Sequence, residues 1–395
     1  MDPLTWIGEQ LDQLRQADLA RELSPPLESV GPTCRVAGRE LLNFASNDYL
    51  GLAADLRLIE AAVQSLRDVG IGRGSSPLIC GRSTGHLRLE QQLAKFEGTK
   101  AALLFATGFA ANAGTIPTLV GEGDAIYSDS HNHASIVDGC RLSRAEKHVY
   151  PHKDVDALER LLQDGQKYQR QLIVTDTLFS MDGDLAPLPR LGELAEQFEA
   201  MLMVDEAHAT GVFGRHGRGI VEYFAADHPQ LHDQVHVRVG TLSKALGSAG
   251  GFVCGSQALI EWLANRARTY VFSTAQPAAA SAAALVALQI VAAEPGPRRN
   301  LLRRSAQLRQ QLQHQGWDTG QSASQIIPLH IGSAQQTMKL AGQLQELGCW
   351  VPAIRPPSVP PGGSLLRLSL SSAHSEDMLA RLLSALEVVR PSGPA

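Results

Sequence analysis

The chain has few cysteines, and no two of them lie at the spacing of metal ligands. No CxxC occurs, and the five cysteines are Cys34, Cys80, Cys140, Cys254 and Cys349. An odd and scattered set of cysteines predicts neither a zinc knuckle nor a disulfide framework. The first residues also lack the basic and apolar blocks of a signal peptide. We therefore expect a reducing, cytoplasmic location.

Long apolar runs and a surplus of positive charge are also missing. No apolar stretch is long enough to span a bilayer, so we expect no membrane association. The formal net charge is -5, which gives no overall basic field for nucleic acid. Length and composition, with 395 residues and 44% hydrophobic residues, predict a globular chain of two domains, or of one large domain with an appendage.

A phosphate loop is absent, although one stretch spells the DEAH box of a helicase-like ATPase. That stretch is MLMVDEAHATG, residues 201–211. An ATPase of this class needs GxxxxGK[ST] to hold its nucleotide. The nearest candidate, GTLSKALG at 240–247, lacks both the Gly before Lys244 and the Ser or Thr after it. The sequence therefore excludes the ATPase interpretation.

Metal-binding motifs are missing as well. HExxH does not occur, and HNH at 131–133 has no carboxylate or cysteine at ligand spacing. We predict no metal site.

What the chain does contain is a regular alternation of apolar strands and helices between about residues 100 and 255. The predicted strands are KAALLFAT (100–107), AIYSD (125–129), QLIVTDT (171–177), AMLMVDEA (200–207), VHVRVGTLS (235–243) and GGFVCGS (250–256). This alternation predicts an α/β fold with a mostly parallel sheet covered on both faces. Such sheets bind ligands at the carboxyl ends of their strands.

The character of the sequence changes around AAEPGPRRN, residues 292–300. An Ala-rich helix over 278–293 ends there, and a basic helix is predicted to begin at Asn300. The strand-like SQIIPLHI and SLLRLSL follow, which predicts a smaller α+β domain. We predict an N-terminal arm (1–50), a large domain (51–292) and a small C-terminal domain (293–395).

Two of the predicted strands end in groups that suit a pyridine cofactor. Asp205 ends one strand, and Lys244 follows the end of the next. The aldehyde of pyridoxal phosphate (PLP) condenses with a lysine amine, and its ring nitrogen stays protonated beside a carboxylate. Its phosphate suits hydroxyls and a helix N-terminus. Thr241 and Ser243 supply hydroxyls, and Gly108 opens a predicted helix.

Several longer motifs resemble the α-oxoamine synthases, PLP enzymes of the aminotransferase-like fold type I. The motifs are NFASNDYLGL (43–52), GHLRLEQQLAKFEG (85–98), FATGFAANAG (105–114), DSHNHASIVDG (129–139), FSMDGDLAPL (179–188), VDEAHATGVFG (204–214), TLSKALG (241–247) and FSTAQP (272–277). The resemblance covers residues 15–390. AIRPPSVP, within 347–374, is similar to the biotin-pathway branch of the family.

The resemblance implies roles for the residues of the cofactor site. Lys244 would hold PLP covalently and then remove the α-proton, Asp205 would pair with the ring nitrogen, and His208 would contact the phenolic oxygen. His133 would stack on the exposed ring face, and Ser180 would touch the cofactor. The phosphate would be bound by Gly108, Phe109, Thr241 and Ser243, and across a homodimer interface by Ser273 and Thr274.

The resemblance also implies the substrates, L-alanine and a pimeloyl thioester of coenzyme A or acyl carrier protein. Asn47 and Arg367 would bind the amino-acid carboxylate, for which a guanidinium fork is suited. Arg21 and Ser358 would contact the acyl substrate. Arg82 stands where many biotin-branch relatives carry an aromatic residue, which leaves the acyl donor open. The alternatives are a glycine-using synthase and a silent partner subunit of the same fold.

Overall fold

The computed structural model describes residues 2–21, 23, 26–27, 31–36 and 38–390. The chain forms two compact units. The first unit comprises Met1–Asn47, Met181–Gly183 and Leu302–Ala395, and the second comprises Asp48–Ser180 and Asp184–Leu301. The three-part division at residues 50 and 292 stays a prediction.

The regular elements of the described residues alternate along most of the chain. The strands are β1 (Thr33–Val36), β2 (Arg39–Asn43), β3 (Ala101–Phe105), β4 (Ala125–Asp129), β5 (Glu146–Tyr150), β6 (Gln171–Asp176), β7 (Met201–Asp205), β8 (Val237–Thr241), β9 (Gly251–Gly255), β10 (Ile326–Gly332), β11 (Cys349–Trp350), β12 (Ala353–Ile354) and β13 (Ser364–Ser369). The α-helices are α1 (Thr5–Gln16), α2 (Leu56–Val69), α3 (Thr84–Glu97), α4 (Gly108–Leu119), α5 (Ala134–Leu142), α6 (Val155–Asp164), α7 (Leu188–Gln197), α8 (Ile220–Ala225), α9 (Leu231–Gln234), α10 (Gln257–Arg266), α11 (Arg268–Val271), α12 (Ala278–Ala293), α13 (Pro295–His314), α14 (Ala334–Glu346) and α15 (Glu376–Val389).

The second unit is built on a seven-stranded sheet with the order β3-β9-β8-β7-β6-β4-β5. The strands from β8 to β5 are parallel, whereas β9 runs antiparallel to both β3 and β8. The reversal follows from chain length. Only residues 242–250 join β8 to β9, and a parallel crossover needs about a dozen residues or more.

Both faces of this sheet are covered, as the alternating pattern predicts. In β3, Leu103 and Phe105 pack into one core cluster with α4, α5 and α10. Ala102 and Leu104 pack into a second cluster with α3 and α12. Successive side chains of a strand point to opposite faces, so one short apolar strand serves both cores.

The first unit contains two three-stranded sheets, β1-β2-β11 and β10-β13-β12. The segments SQIIPLHI and SLLRLSL, both predicted to be strands, correspond to β10 and β13, which pair antiparallel to each other.

Two elements differ from the sequence prediction. Strand β5 was not predicted, because it lies at the sheet edge and its sequence EKHVY is mostly exposed; edge strands carry charge where inner strands are apolar. Helix α13 begins at Pro295, not Asn300, since proline is tolerated in the first turn, where backbone N–H groups have no helical partner.

No single helix among the described residues is long and apolar enough to cross a membrane. The pair α12 and α13 reaches that length and composition only jointly, with a bend of 75° between them. All five cysteines are free thiols, and only Cys80 is exposed.

Candidate active site

The carboxyl ends of β7 and β8 bring the predicted acid and lysine to one edge of the sheet. Asp205 is the last residue of β7 and pairs with Val239 of the parallel strand β8. Thr241 ends β8, and Lys244 follows three residues later. The sequence order of these groups therefore becomes a spatial cluster, as expected for the ligand-binding edge of a parallel sheet.

The Asp205 carboxylate is buried and its orientation is fixed from both sides. One oxygen accepts the backbone N–H of Ala207 at 2.8 Å, and the other accepts the Asn112 side-chain amide at 2.6 Å. Asp205 is only 5% exposed. A carboxylate with both oxygens held in this way cannot rotate freely, so its remaining lone pairs point in defined directions.

Glu206, the second letter of the DEAH motif, has a structural task. Its buried carboxylate accepts the backbone N–H groups of Ile220 and Val221 at the start of α8, and the Thr177 hydroxyl. Burial raises the pKa of Glu206, and these hydrogen bonds oppose the rise. Within this motif, Asp205 therefore belongs to the candidate site, whereas Glu206 supports the start of α8.

Lys244 belongs to a chain of three side chains that runs into the core. Its Nζ lies 2.9 Å from Nε2 of His208, whose Nδ1 lies 2.6 Å from the hydroxyl of Tyr49. Tyr49 is fully buried and His208 is 5% exposed. Because both ring nitrogens are engaged, the His208 imidazole is held in one orientation beside the lysine amine.

His133 caps the start of α5 and faces the same edge. Its backbone N–H donates to Asp176 at 2.7 Å, and its Nδ1 accepts the backbone N–H of Ser135 at 3.2 Å. A ring nitrogen that accepts a hydrogen bond carries no proton, so neutral His133 holds its proton on Nε2. Removal of the ring from water lowers the pKa of His133, an effect that Asp205 opposes and Lys244 reinforces.

Asp176, which ends β6 directly beside Asp205, contributes a second buried carboxyl group. Burial raises its pKa well above the ordinary range, and the neighbouring Asp205 raises it further. Asp205 therefore has a close acidic neighbour at the adjacent strand end. This neighbour, Asp176, accepts the backbone N–H of His133.

The start of α4 forms a corner suited to an anion. The Thr107 side chain accepts the N–H of Ala110, which leaves the other first-turn N–H groups of the helix available. The Thr241 hydroxyl lies 2.8 Å from the Ser243 hydroxyl. A side chain on Gly108 would meet Thr241 at 3.3 Å, and one on Gly251 would lie 2.4 Å from the Thr107 carbonyl. Glycine thus permits the close approach of these segments.

The remaining predicted cofactor residues are less closely tied to this cluster. Phe109 is exposed beside Gly108, and Ser180 is half-buried. Ser273 and Thr274 follow α11 and line a small cavity together with Arg82. The Arg82 guanidinium is ion-paired with the buried Glu90, so its charge is already partly neutralised within the chain.

His131, the histidine of the HNH stretch outside the candidate site, packs within the second unit. The His131 ring stacks on that of His152 with centroids 4.1 Å apart. Nδ1 and Nε2 of His152 lie 2.9 and 3.0 Å from the carboxylates of Asp129 and Asp184. Burial alone would lower the pKa of His152, but these two hydrogen bonds outweigh it and raise the pKa to about 9.

Comparison with known proteins identifies the family to which this chain belongs. The family model for class I and II aminotransferases matches residues 39–386. The 8-amino-7-oxononanoate synthase of Anaeromyxobacter dehalogenans is 47% identical over 99% of this chain and 97% of its own length. That of Geobacter sulfurreducens is 48% identical over 96% of both chains. The chain belongs to this aminotransferase family.

Solved structures of this aminotransferase family agree with the fold. The Sphingomonas wittichii serine palmitoyltransferase superposes with a TM-score of 0.91 at 33% identity, over 98% of both chains. The S. paucimobilis enzyme, with a bound PLP–myriocin aldimine, gives 0.92 at 29% identity over 98% of both chains. The 8-amino-7-oxononanoate synthase of Francisella tularensis gives 0.75 at 28% identity over 88% of this chain and 97% of that one. The predicted fold is confirmed.

Within the first unit of this aminotransferase-family chain, the two residues predicted to bind a carboxylate lie together. Nη1 of Arg367 donates to the Asn47 side-chain oxygen at 3.1 Å and to the Ser369 hydroxyl at 2.7 Å. Arg367 is only 5% exposed. The guanidinium is therefore buried and held in place by neutral acceptors.

The two residues predicted to contact the acyl substrate also meet in the first unit. Nη2 of Arg21 donates to the Ser358 hydroxyl at 3.2 Å, and both side chains are exposed. Arg355 donates to the backbone carbonyls of Asp18 and Ala20 at 2.5 and 3.3 Å. The AIRPPSVP segment thus holds the chain just before Arg21.

Sequence reasoning missed several residues of the site. Asn112 and Ser135 lie inside quoted motifs, one helical turn after Gly108 and two residues after His133, and this spacing was the available signal. Tyr49 also lies inside one of these motifs, and Asp176 stands at the end of a predicted strand. Their contacts could not be predicted, because the partners lie 159 and 43 positions away in the sequence.

Proposed function

We propose that this chain catalyses the reaction named by its curated relatives, the synthesis of 8-amino-7-oxononanoate in biotin biosynthesis. L-Alanine condenses with a pimeloyl thioester, and the alanine carboxylate leaves as carbon dioxide while the thiol carrier is released. The observation that carries the proposal is the contact of Lys244 with His208 beside the doubly held Asp205 carboxylate, in a chain 47% identical to these synthases.

The residues of the second unit fit PLP. Asp205 offers a carboxylate for the ring nitrogen, Lys244 a primary amine for the aldehyde, and Thr241 with Ser243 offers hydroxyls beside the helix start at Gly108. The lack of a side chain at Gly108, where a Cβ would press against Thr241, keeps this corner open for a phosphate. Bound PLP supplies an electron sink for negative charge that develops at the alanine Cα.

Each residue then has a task that its contacts support. Lys244 Nζ would hold the cofactor covalently, and after displacement by the alanine amine the freed lysine amine would take the proton from the alanine Cα. His208, oriented by Tyr49, lies next to that amine and donates toward the phenolic oxygen. His133, with its proton on Nε2, would cover the open ring face, and Ser180 would contact the cofactor.

The substrate groups are assigned to the first unit. Arg367 with Asn47 binds the alanine carboxylate, because a buried guanidinium fork recognises a planar anion. Arg21 and Ser358 contact the acyl chain near its polar end. The contact of Arg82 with Glu90 favours a structural task for Arg82 over substrate binding.

We also propose that the active species is a homodimer with composite sites. Phe272 and Ile79 are 72% and 78% exposed and apolar, and Phe272 directly precedes Ser273 and Thr274. Exposed apolar side chains beside predicted phosphate ligands are consistent with coverage by a second copy. Sedimentation of the active species as a monomer would overturn the proposed homodimer.

The free thiols suit a reducing compartment.

A product assay tests the reaction. Alanine, serine and glycine are each offered with pimeloyl-CoA, succinyl-CoA and acetyl-CoA, and the visible spectrum is recorded. We expect the highest kcat/KM for alanine with pimeloyl-CoA. Comparable values for glycine with acetyl-CoA would move the chain to a glycine-using synthase, and a protein without PLP absorbance would be a silent partner subunit.

A further inference from the structure

We propose that Asn112 is a positioning residue that fixes the Asp205 carboxylate and joins it, through Ser135, to His133. The inference deepens the proposed function and rests on it, because it assumes that Asp205 pairs with the PLP ring nitrogen.

The amide of Asn112 can adopt only one orientation here. Its nitrogen donates to Asp205 at 2.6 Å and to the Ser135 hydroxyl at 2.9 Å. Both hydrogens of the NH₂ group are therefore used, each toward an oxygen acceptor. The reversed amide would place its own oxygen against a carboxylate, which is repulsive, so chemistry settles the orientation.

The hydrogen-bond chain continues from Ser135 to the ring that faces the cofactor. Ser135 Oγ accepts from Asn112 and lies 2.7 Å from His133 Nδ1. Because Nδ1 already accepts the Ser135 backbone N–H, it carries no proton, and the Ser135 hydroxyl donates to it. Asn112 thus donates a hydrogen bond to Ser135, and Ser135 in turn donates one to His133.

Burial makes this connection strong. Asn112 and Ser135 are each 1% exposed, so water does not compete for their hydrogen bonds. The Oδ1 of Asn112 has no hydrogen-bond partner among the residues that the structure describes. An unpaired buried amide oxygen carries a cost in stability, so the hydrogen bonds that Asn112 makes in this orientation are those of its two donor hydrogens.

The test compares two cofactors in the full-length protein, stripped and then titrated. One is PLP and the other is the PLP analogue with carbon in place of the ring nitrogen. In Asn112→Leu, we expect the PLP dissociation constant to rise about tenfold or more, as expected for a lost hydrogen bond to a charged group. The analogue has no ring nitrogen, so its dissociation constant should change less than about twofold relative to wild type. Equal weakening of both cofactors would overturn the proposal, since a general packing defect acts on both.

Matched variants separate the possible failures. Thr115→Val lies one turn further along α4 at a fully buried position, and the Thr115 hydroxyl has no hydrogen-bond partner among the residues that the structure describes, so this variant should leave the ratio of the two constants unchanged. If Asp205→Asn also fails to discriminate between the cofactors, the assignment of Asp205 fails, and the inference with it. If Asp205→Asn discriminates and Asn112→Leu does not, only the inference fails. If Asn112→Leu does not fold, the same two dissociation constants are measured for Asn112→Ala.

Discussion

The residues around Lys244 and the pair formed by Arg21 and Ser358 differ in how firmly they are held. Asp205 and His208 are each 5% exposed, and each is hydrogen-bonded through two atoms. Arg21 and Ser358 are both exposed and share one hydrogen bond. Buried polar groups with several partners have one geometry, whereas water competes for exposed ones.

This difference fits the roles proposed for the two groups of residues. A group that must align with a cofactor ring needs fixed lone pairs and a dry setting. A group that contacts a long acyl chain tolerates adjustment. We therefore expect substitutions in the buried cluster to have large effects, and substitutions of the exposed pair to have small ones.

The largest effect is expected for Lys244→Ala. Loss of the amine removes both the covalent anchor and the base, so activity should fall by at least about 10³-fold. Borohydride reduction followed by peptide mapping should place the pyridoxyl label on Lys244 in wild type and on no lysine in the variant. Lys153→Ala, a half-buried lysine paired with Asp184, serves as the control and should remain labelled at Lys244. A label on another lysine would reassign the anchor.

Asp205→Asn comes next. A neutral amide cannot hold the ring nitrogen protonated, so kcat should fall by about 10²–10³-fold, while PLP still binds. Steady-state kinetics with alanine and pimeloyl-CoA measure the loss. Asp124→Asn, at a buried carboxylate paired with Arg170, is the matched control. Near-normal turnover in folded Asp205→Asn would remove the carboxylate from the mechanism.

Arg367→Lys should raise the KM for alanine by about tenfold or more, because an ammonium cannot replace a two-pronged guanidinium contact. The PLP spectrum should not change. Arg304→Lys tests the same chemical change at a half-buried arginine bonded to the His374 carbonyl and should leave KM unaltered. An equal effect in both variants would indicate loss of packing in the first unit.

His152 gives the buried region a pH dependence. Its pKa is raised from 6.5 to about 9 in the folded chain, so its stabilising contribution is complete below pH 6.5 and is lost as the pH rises through 9. The free energy of unfolding should fall over this interval by roughly 1–3 kcal/mol. Denaturant titrations of His152→Gln should show a flatter profile there, and exposed His314→Gln should retain the wild-type slope.

The smallest effect is expected for Arg21→Ala. An exposed contact contributes about 0–1 kcal/mol, so the KM for the pimeloyl thioester should rise by no more than about fivefold, with an unchanged PLP spectrum. Arg15→Ala, exposed on α1, should have no effect. A much larger loss would mean that Arg21 and Ser358 are buried in the working enzyme and are held as firmly as the residues around Lys244.

The sequence revealed the parts of the molecule that depend on local patterns. Strands β4, β7 and β8 were predicted because their apolar runs must be buried, and Asp205 and Lys244 because they stand at strand ends. Strand β5 and the antiparallel direction of β9 were not predicted, because β5 is mostly exposed and the direction of β9 depends on the length of its connection to β8. Tyr49 and Asn112 lie inside family motifs, but their contacts could not be predicted from the residues alone, because their partners are 159 and 93 positions away.

The place of β9 between β3 and β8 also affects the order in which the protein can mature during synthesis. Gly251 pairs with Phe105 on one side and Thr241 on the other, and its backbone packs against Thr107 and Gly108. A nascent chain that has not yet emerged beyond Gly255 therefore has Lys244 but no closed corner at Gly108. Chains released just before Gly251 should fail to retain cofactor, and chains that also include α10 and α12, which cover the sheet, should begin to do so. Vitamin loading of this protein is thus expected to be a late event of translation, which needs β9 and the helices that follow it.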